Sequence, residues 1–175
     1  MQLKHSNGFR GMLLGVVASE ILLPVLSERA WELVAAMDRL DGPRPFLLRA
    51  GLPVPNRCEL RSSSVGGERV CYFDQGAIEQ EVTTWQHPSK MAFRVTGNTL
   101  PGRRWLTFID ADYEFASVDG GTRVVRHTTI GTRLYPRWYW RPLERWGVTS
   151  EHAYVFANLK RWCAQGARTD SEPGI

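Results

Sequence analysis

Between residues 57 and 131, apolar and polar positions alternate in short runs broken by turn-forming residues, the pattern of successive antiparallel strands. The breaks fall at Gly66-Gly67, Asp74-Gln75-Gly76, His87-Pro88-Ser89, Gly97 to Gly102 and Asp119-Gly120-Gly121, each rich in residues that suit tight turns. The expected strands are 57–64, 68–74, 77–85, 90–96, 104–117 and 122–131. Ile78 and Val82 alternate with Glu79 and Glu81, and Met91, Phe93 and Val95 with Lys90 and Arg94. One face of the sheet is therefore apolar and the other faces water.

Ahead of these runs, Gly15 to Val25 reads as a further strand. Ser27 then stands before Glu28-Arg29-Ala30-Trp31 as an expected helix N-cap, its hydroxyl accepting from an unpaired backbone N–H. Trp31, Val34 and Ala35 form that helix's inward stripe, Asp41-Gly42-Pro43 is its expected stop, and Pro45 to Ala50 fits one or two short helical turns. Behind the strands the period changes. Thr149 to Gln165 places His152, Val155, Phe156, Leu159 and Cys163 on one side, with Glu151, Asn158, Lys160 and Arg161 elsewhere, and Gly166 is the expected stop. The expected organisation is an N-terminal extension (1–15), one domain (16–166) and a frayed tail (167–175).

This order gives an α+β fold in which seven antiparallel strands curve around one long C-terminal helix, with two short helices between strands 1 and 2. The helix is the only long element left to cover the apolar face, and one helix cannot fill a strongly curved sheet. A cavity between sheet and helix is expected.

Composition narrows the function classes. A chain of 175 residues with 43% hydrophobic and 23% charged positions fits one globular domain and excludes disorder. The run from Met12 to Leu26, interrupted by Ser19-Glu20 and Pro24, falls short of a membrane span and lacks a signal-peptide cleavage site. Cys58, Cys71 and Cys163, an odd number without close spacing, lead us to expect neither disulfide nor structural metal, and hence a reducing, cytoplasmic setting. The net charge of +4 is carried mostly by arginine, with lysine only at positions 4, 90 and 160. A mild excess spread along the chain does not make a nucleic-acid protein.

Four segments together resemble a known superfamily. Ala18-Ser-Glu-Ile-Leu-Leu-Pro-Val-Leu-Ser-Glu-Arg-Ala-Trp-Glu-Leu-Val resembles the first strand and helix of START-like (SRPBCC) proteins, the polyketide cyclase/dehydrase-like chains that share a helix-grip fold with the birch pollen allergen. Gly67 to Trp85 looks like its central hairpin, Gly121-Thr122-Arg123-Val124 like the start of its last strand, and Glu151 to Lys160 like its closing helix. The resemblance spans residues 16 to 165 and carries architecture rather than activity: the superfamily includes lipid carriers, hormone receptors, cochaperone-like domains and some true cyclases.

For the cavity, the expected ligand-binding walls are Ile78, Val82, Phe93, Tyr113 and Phe115 from the strands, with His152, Val155, Phe156 and Leu159 from the helix. Polar candidates to orient a ligand are Glu79 or Glu81, Arg69, Arg126, His127, Tyr135 and His152. Glu79 and Glu81 lie opposite the apolar set and are expected to face solvent. Arg126 and His127 occupy opposite faces of one strand, so only one points inward, and the pattern does not choose between them. His152 is either a donor or general base in the cavity or a buried imidazole satisfied by its neighbours. His152 and Arg126 are the candidates for a catalytic role. No Gly-x-Ser-x-Gly motif or phosphate-binding glycine loop occurs, and no cofactor is expected.

Arg133, Arg137, Arg141 and Arg145 recur every fourth residue among five aromatic residues up to Trp146. Pro136 and Pro142 argue against a continuous helix through this stretch, with helix starting near one of them. The preferred reading is a rim whose rings close one end of the cavity while the arginine heads reach water. Peripheral contact with anionic lipid is the alternative.

The reading that results is a cytoplasmic protein that buries a hydrophobic or aromatic small molecule, or a lipid, beneath the C-terminal helix, with no nucleic-acid partner. A polyketide cyclase or dehydratase using the same cavity, and a cochaperone-like interaction module, are the alternatives. Two inward titratable groups facing each other would favour the enzyme, a wholly apolar cavity the carrier.

Overall fold

The computed structural model describes residues 11–169, with side chains described to residue 166. Residues 1–10 of the expected N-terminal extension and 170–175 of the expected tail lie outside the described residues. In chain order the elements are β1 (Leu13–Leu23), α1 (Ser27–Ala36), α2 (Phe46–Arg49), β2 (Pro55–Leu60), β3 (Glu68–Phe73), β4 (Gly76–Gln86), β5 (Lys90–Asn98), β6 (Leu106–Val118), β7 (Gly121–Thr132) and α3 (Arg137–Thr169). The seven strands form one antiparallel sheet in the order β1-β7-β6-β5-β4-β3-β2. Sequential hairpins explain every pairing except β1 with β7, which joins the start of the chain to its last strand. The α1–α2 segment carries the chain from one sheet edge to the other.

The concave face meets α3 through a core built from alternate strand residues. Met91, Phe93, Tyr113, Phe115 and Val124 are buried against Val155, Phe156 and Leu159 of α3, and Trp31 and Val34 of α1. Trp31 is wedged between Trp85 and Phe115, with ring centroids 5.0 and 5.3 Å away, distances at which tilted aromatic pairs attract. At the β6–β7 turn, a Cβ on Gly121 would stand 2.1 Å from the Leu23 carbonyl oxygen, and its φ is +148°. Only glycine fits there.

Several element ends differ from the sequence reading. Leu26, not Ser27, occupies the N-cap of α1, without a side-chain cap. The Ser27 hydroxyl is instead turned inward, 2.7 Å from Ser117 Oγ and 3.5 Å from Thr122 Oγ1, so it ties α1 to β6 and β7. The helix ends at Ala36, well before Asp41. Met37 takes a left-handed conformation (φ 34°), and its carbonyl accepts from the Cys58 N–H at 2.9 Å. Docking on β2 has overridden the local stop signal. At the other end α3 starts at Arg137, directly after Pro136, keeps Pro142 inside it and runs through Gly166 to Thr169. Pro142, the sixth residue of the helix, forfeits the bond that an N–H there would make to the Trp138 carbonyl.

The expectation of no disulfide is corrected: Cys58 and Cys71 are bridged. Their separation of 13 residues matches no framework spacing, but the β2–β3 register sets them directly opposite each other. Partners in such a pair lie close enough to bond. Pairing register, not spacing along the chain, decides the matter. Among the described residues no cluster of ligands suited to a metal ion occurs.

Candidate functional site

Strand alternation sorts the polar candidates. Glu79 is exposed and Glu81 half-buried on the outer face, while Ile78, Gln80 and Val82 are buried. On β7 the inward positions are Thr122, Val124, Arg126, Thr128, Ile130 and Thr132, all buried. Arg126 therefore points in. His127 points out, its Nδ1 3.0 Å from Asp112 Oδ2. Tyr135 is 84% exposed and belongs to no interior site.

The polar positions of β7 face a matching set on α3. Arg126 meets Glu151 through its two terminal guanidinium nitrogens, Nη1 and Nη2, at 3.1 and 3.0 Å. Thr128 Oγ1 is 2.8 Å from His152 Nε2, whose other ring nitrogen is 2.9 Å from Ser19 Oγ on β1. Thr132 donates to Glu144 at 2.7 Å, and Arg137 donates to both oxygens of the same carboxylate at 2.8 Å. Farther along, the Gly42 N–H donates to Asn158 Oδ1 at 2.9 Å. Glu151 and Asn158, placed away from the helix's inner stripe by apolar periodicity, are thus buried on it. Apolar periodicity could not reveal them, because they are polar residues matched to polar partners on another element.

His152 is completely buried. Burial, aided by the neighbouring Arg126 charge, pushes its pKa down to about 2. With both ring nitrogens engaged and the neutral form enforced, it acts as a structural link between β1, β7 and α3. Burial likewise raises the Tyr113 phenol above its ordinary value, keeping it protonated.

Among the described residues, two adjoining hollows reach the expected cavity walls or the aromatic rim. The inner one is a cavity of about 50 Å³ bordered by Ile78, Gln80, Tyr113 and Val155, with Arg69, Asp110, Arg126 and Glu151 as its charged lining and the Cys58–Cys71 bridge in its wall. It has room for only about four waters. The outer one is an open groove of about 380 Å³ at the α3 N-terminal end of the molecule. Its walls are Leu48 on α2 and Leu52 just after it, Leu100 and Trp105 in the β5–β6 connection, Ile130 on β7, and Trp140, Leu143 and Val148 on α3. Phe73, Phe108 and Glu151 border both hollows, which therefore adjoin there.

Of the residues expected to bind a ligand, Ile78, Tyr113 and Val155 border the inner cavity. Val82, Phe93, Phe115, Phe156 and Leu159 are packed core, and His152 borders neither hollow. The sequence points to the groove only through the rim: Trp140 and Leu143 line it, while Trp138 is 80% exposed beside them. Leu52 and Trp105 sit in loops, and Leu48 on the single-turn α2; their approach to α3 is set by tertiary structure, leaving no period to read.

No family model matches the chain, and no curated protein does. Solved structures do match in shape. Ara h 8.0201 superposes with a TM-score of 0.57 at 12% identity, over 87% of this chain and 99% of that one. A Staphylococcus aureus protein of unknown function, SA2116, gives 0.60 at 13% identity, over 90% of this chain and 98% of its own. The di-domain ARO/CYC protein BexL of the BE-7585A biosynthetic pathway gives 0.56 at 16% identity, with 85% of this chain covering 50% of BexL. These likenesses establish the START-like, helix-grip fold. At such identities they speak to architecture alone.

Proposed function

We propose that this protein binds a hydrophobic or aromatic small molecule in the outer groove. The observation that carries this reading is the groove itself: its volume of about 380 Å³ lies within the range of about 300–1,000 Å³ typical of ligand sites, and such sites combine apolar walls with a few polar groups. Here Asn98, Thr107, Glu144 and Glu151 are the polar members. Affinity comes from apolar surface removed from water, at roughly 25 cal/mol per Å². The inner cavity alone, at about 50 Å³, is too small for such a ligand.

Titration with the neutral fluorophore N-phenyl-1-naphthylamine tests this. Fluorescence enhancement that saturates, and that Leu143→Trp weakens at least fivefold by filling the groove, supports the reading. Absence of enhancement in the unaltered protein overturns it.

A cyclase-type reaction in the same space is the second reading, favoured by Arg126 and Glu151 facing each other at the inner cavity and by the likeness in shape to BexL, an ARO/CYC protein. The pair neutralises itself, and His152 is neutral and fully engaged, so neither candidate offers a free base. Binding without chemistry is the better-supported reading. The cytoplasmic setting expected from the cysteine count loses that support, because the bridge is formed. No helix among the described residues is long and apolar enough to cross a membrane. The Cys58–Cys71 bridge is the observation that weighs against a reducing compartment.

A further inference from the structure

Arg69 on β3 is 3% exposed and borders the inner cavity. Its guanidinium lies over the Phe93 ring, 4.4 Å from the centroid. Its hydrogen bonds are long ones, from Nη2 to the Val34 carbonyl and to Met37 Sδ, both at 3.4 Å. Nε has no partner. Among the described residues Arg69 forms no ion pair, because Glu151 is taken by Arg126 and Asp110, the other carboxylate at the cavity, bonds neither arginine.

A buried charge is ordinarily paired, because an aromatic face and two weak acceptors do not replace lost hydration. The cost shows in the Arg69 pKa, which burial lowers to about 10. One further orphaned atom, Arg126 Nε, belongs to a residue on the same cavity, where Glu151 Oε2 meets Arg126 as an ion-pair contact without a well-aligned hydrogen bond. The cavity thus holds unmet hydrogen-bonding capacity around a guanidinium that has no ion-pair partner, and it adjoins the groove at Phe73, Phe108 and Glu151.

Resting on the groove as the apolar site, we infer that the inner cavity is an anion subsite in which Arg69 receives the carboxylate of an amphipathic ligand whose apolar body occupies the groove. One guanidinium without an ion pair and about 50 Å³ of space suit a monoanionic carboxylate better than a phosphate dianion. Ligand entry then completes an ion pair that the free protein lacks. The bidentate geometry of guanidinium with carboxylate fits a cation held flat on an aromatic ring.

The test displaces N-phenyl-1-naphthylamine from the full chain with dodecanoate and with 1-dodecanol, which share a tail and differ in charge. Dodecanoate is expected to displace at a concentration at least roughly tenfold lower, the usual worth of a charge-assisted hydrogen bond. Arg69→Met is expected to abolish that gap, leave the fluorophore bound as before, and keep or raise the thermal midpoint; Arg69→Gln replaces it should the methionine variant not fold. Equal displacement by the two probes, or a gap that survives in the variant, overturns the subsite while leaving the groove in place. If the fluorophore does not bind at all, the groove reading falls and calorimetry with dodecanoate decides the subsite alone. Heat lost in Arg69→Met supports it, and no heat with the unaltered protein overturns it.

Discussion

Arg126 on β7 and Glu151 on α3 form a nearly buried two-point ion pair, 3.0 and 3.1 Å between nitrogens and oxygens, and this pair clamps the helix to the sheet where the two hollows meet. Removing one partner leaves the other charge buried and unmatched. Glu151→Ala is expected to cost about 3–5 kcal/mol of unfolding free energy. The double variant Arg126→Met/Glu151→Met, which removes both charges and keeps volume, is expected to recover most of that loss. Urea unfolding of the three proteins checks it, and a double variant as unstable as the single one would contradict it.

His152 predicts a pH dependence. Its folded pKa is depressed to about 2, below the ordinary value near 6.5, so the unfolded chain binds the proton more readily. Stability from this group is complete above about pH 6.5 and declines as pH falls toward the folded value. Between pH 7.5 and 5.5 the loss amounts to about 1.4 kcal/mol. His152→Gln is expected to be less stable at neutral pH yet to lack this share of the slope, measured as unfolding free energy against pH.

The Cys58–Cys71 bridge closes a short β2–β3 loop that the register already holds together. Chain entropy assigns such a loop about 3 kcal/mol at most. Reduction is therefore expected to lower the thermal midpoint while leaving the fold intact by circular dichroism. Peptide mapping without reductant should recover Cys58 and Cys71 in one linked fragment, and free thiols at both positions would contradict the bridge.

The strand series was legible because turn residues and a period of two are local signals: every strand from β2 to β7 overlaps its expected span, and the inward face of β4 follows from Ile78 and Val82. What escaped was relational. Ser27 has the chemistry of a cap, but its hydroxyl serves β6 and β7 instead. Glu151 and Asn158 look solvent-facing until Arg126 and Gly42 arrive from elsewhere in the chain. The disulfide depends on pairing register, and the groove on loops that touch only in the folded chain, as where Leu52 lies 3.5 Å from the Cβ position of Gly147. The inward turn of Arg126 rather than His127 follows once the β7 register is known, and needed the fold to decide it.

The rim of the groove predicts a surface property. Phe46, Trp105, Tyr135 and Trp138 are between 61 and 84% exposed. Between residues 135 and 150 the only acidic residue, Glu144, is buried against Arg137. Arg141 and Arg145 leave that stretch cationic. Exposed aromatic rings beside arginines favour the interface of an anionic bilayer. Sedimentation with vesicles of phosphatidylserine and phosphatidylcholine is expected to carry the protein down at low salt, more weakly at high salt, and not with phosphatidylcholine alone. Trp138→Ala together with Arg141→Ala should reduce the bound fraction severalfold, and binding that ignores both lipid charge and these residues would refute the contact.

Phe156 separates core from site. It is 5% exposed, packs within the main core, lies 6.4 Å from the His152 ring between centroids, and borders neither hollow. A phenylalanine that lined an open ligand space would lose little on truncation, since few neighbours hold it. One enclosed on all sides loses both its transfer energy and the contacts around the void, typically about 3–5 kcal/mol. The full-sized loss is expected for Phe156→Ala, with N-phenyl-1-naphthylamine bound in the groove as before at temperatures where the variant stays folded. A loss below about 2 kcal/mol, a figure short of that truncation range, combined with altered fluorophore affinity, would place the ligand deeper under α3 than the groove and make Phe156 part of its wall.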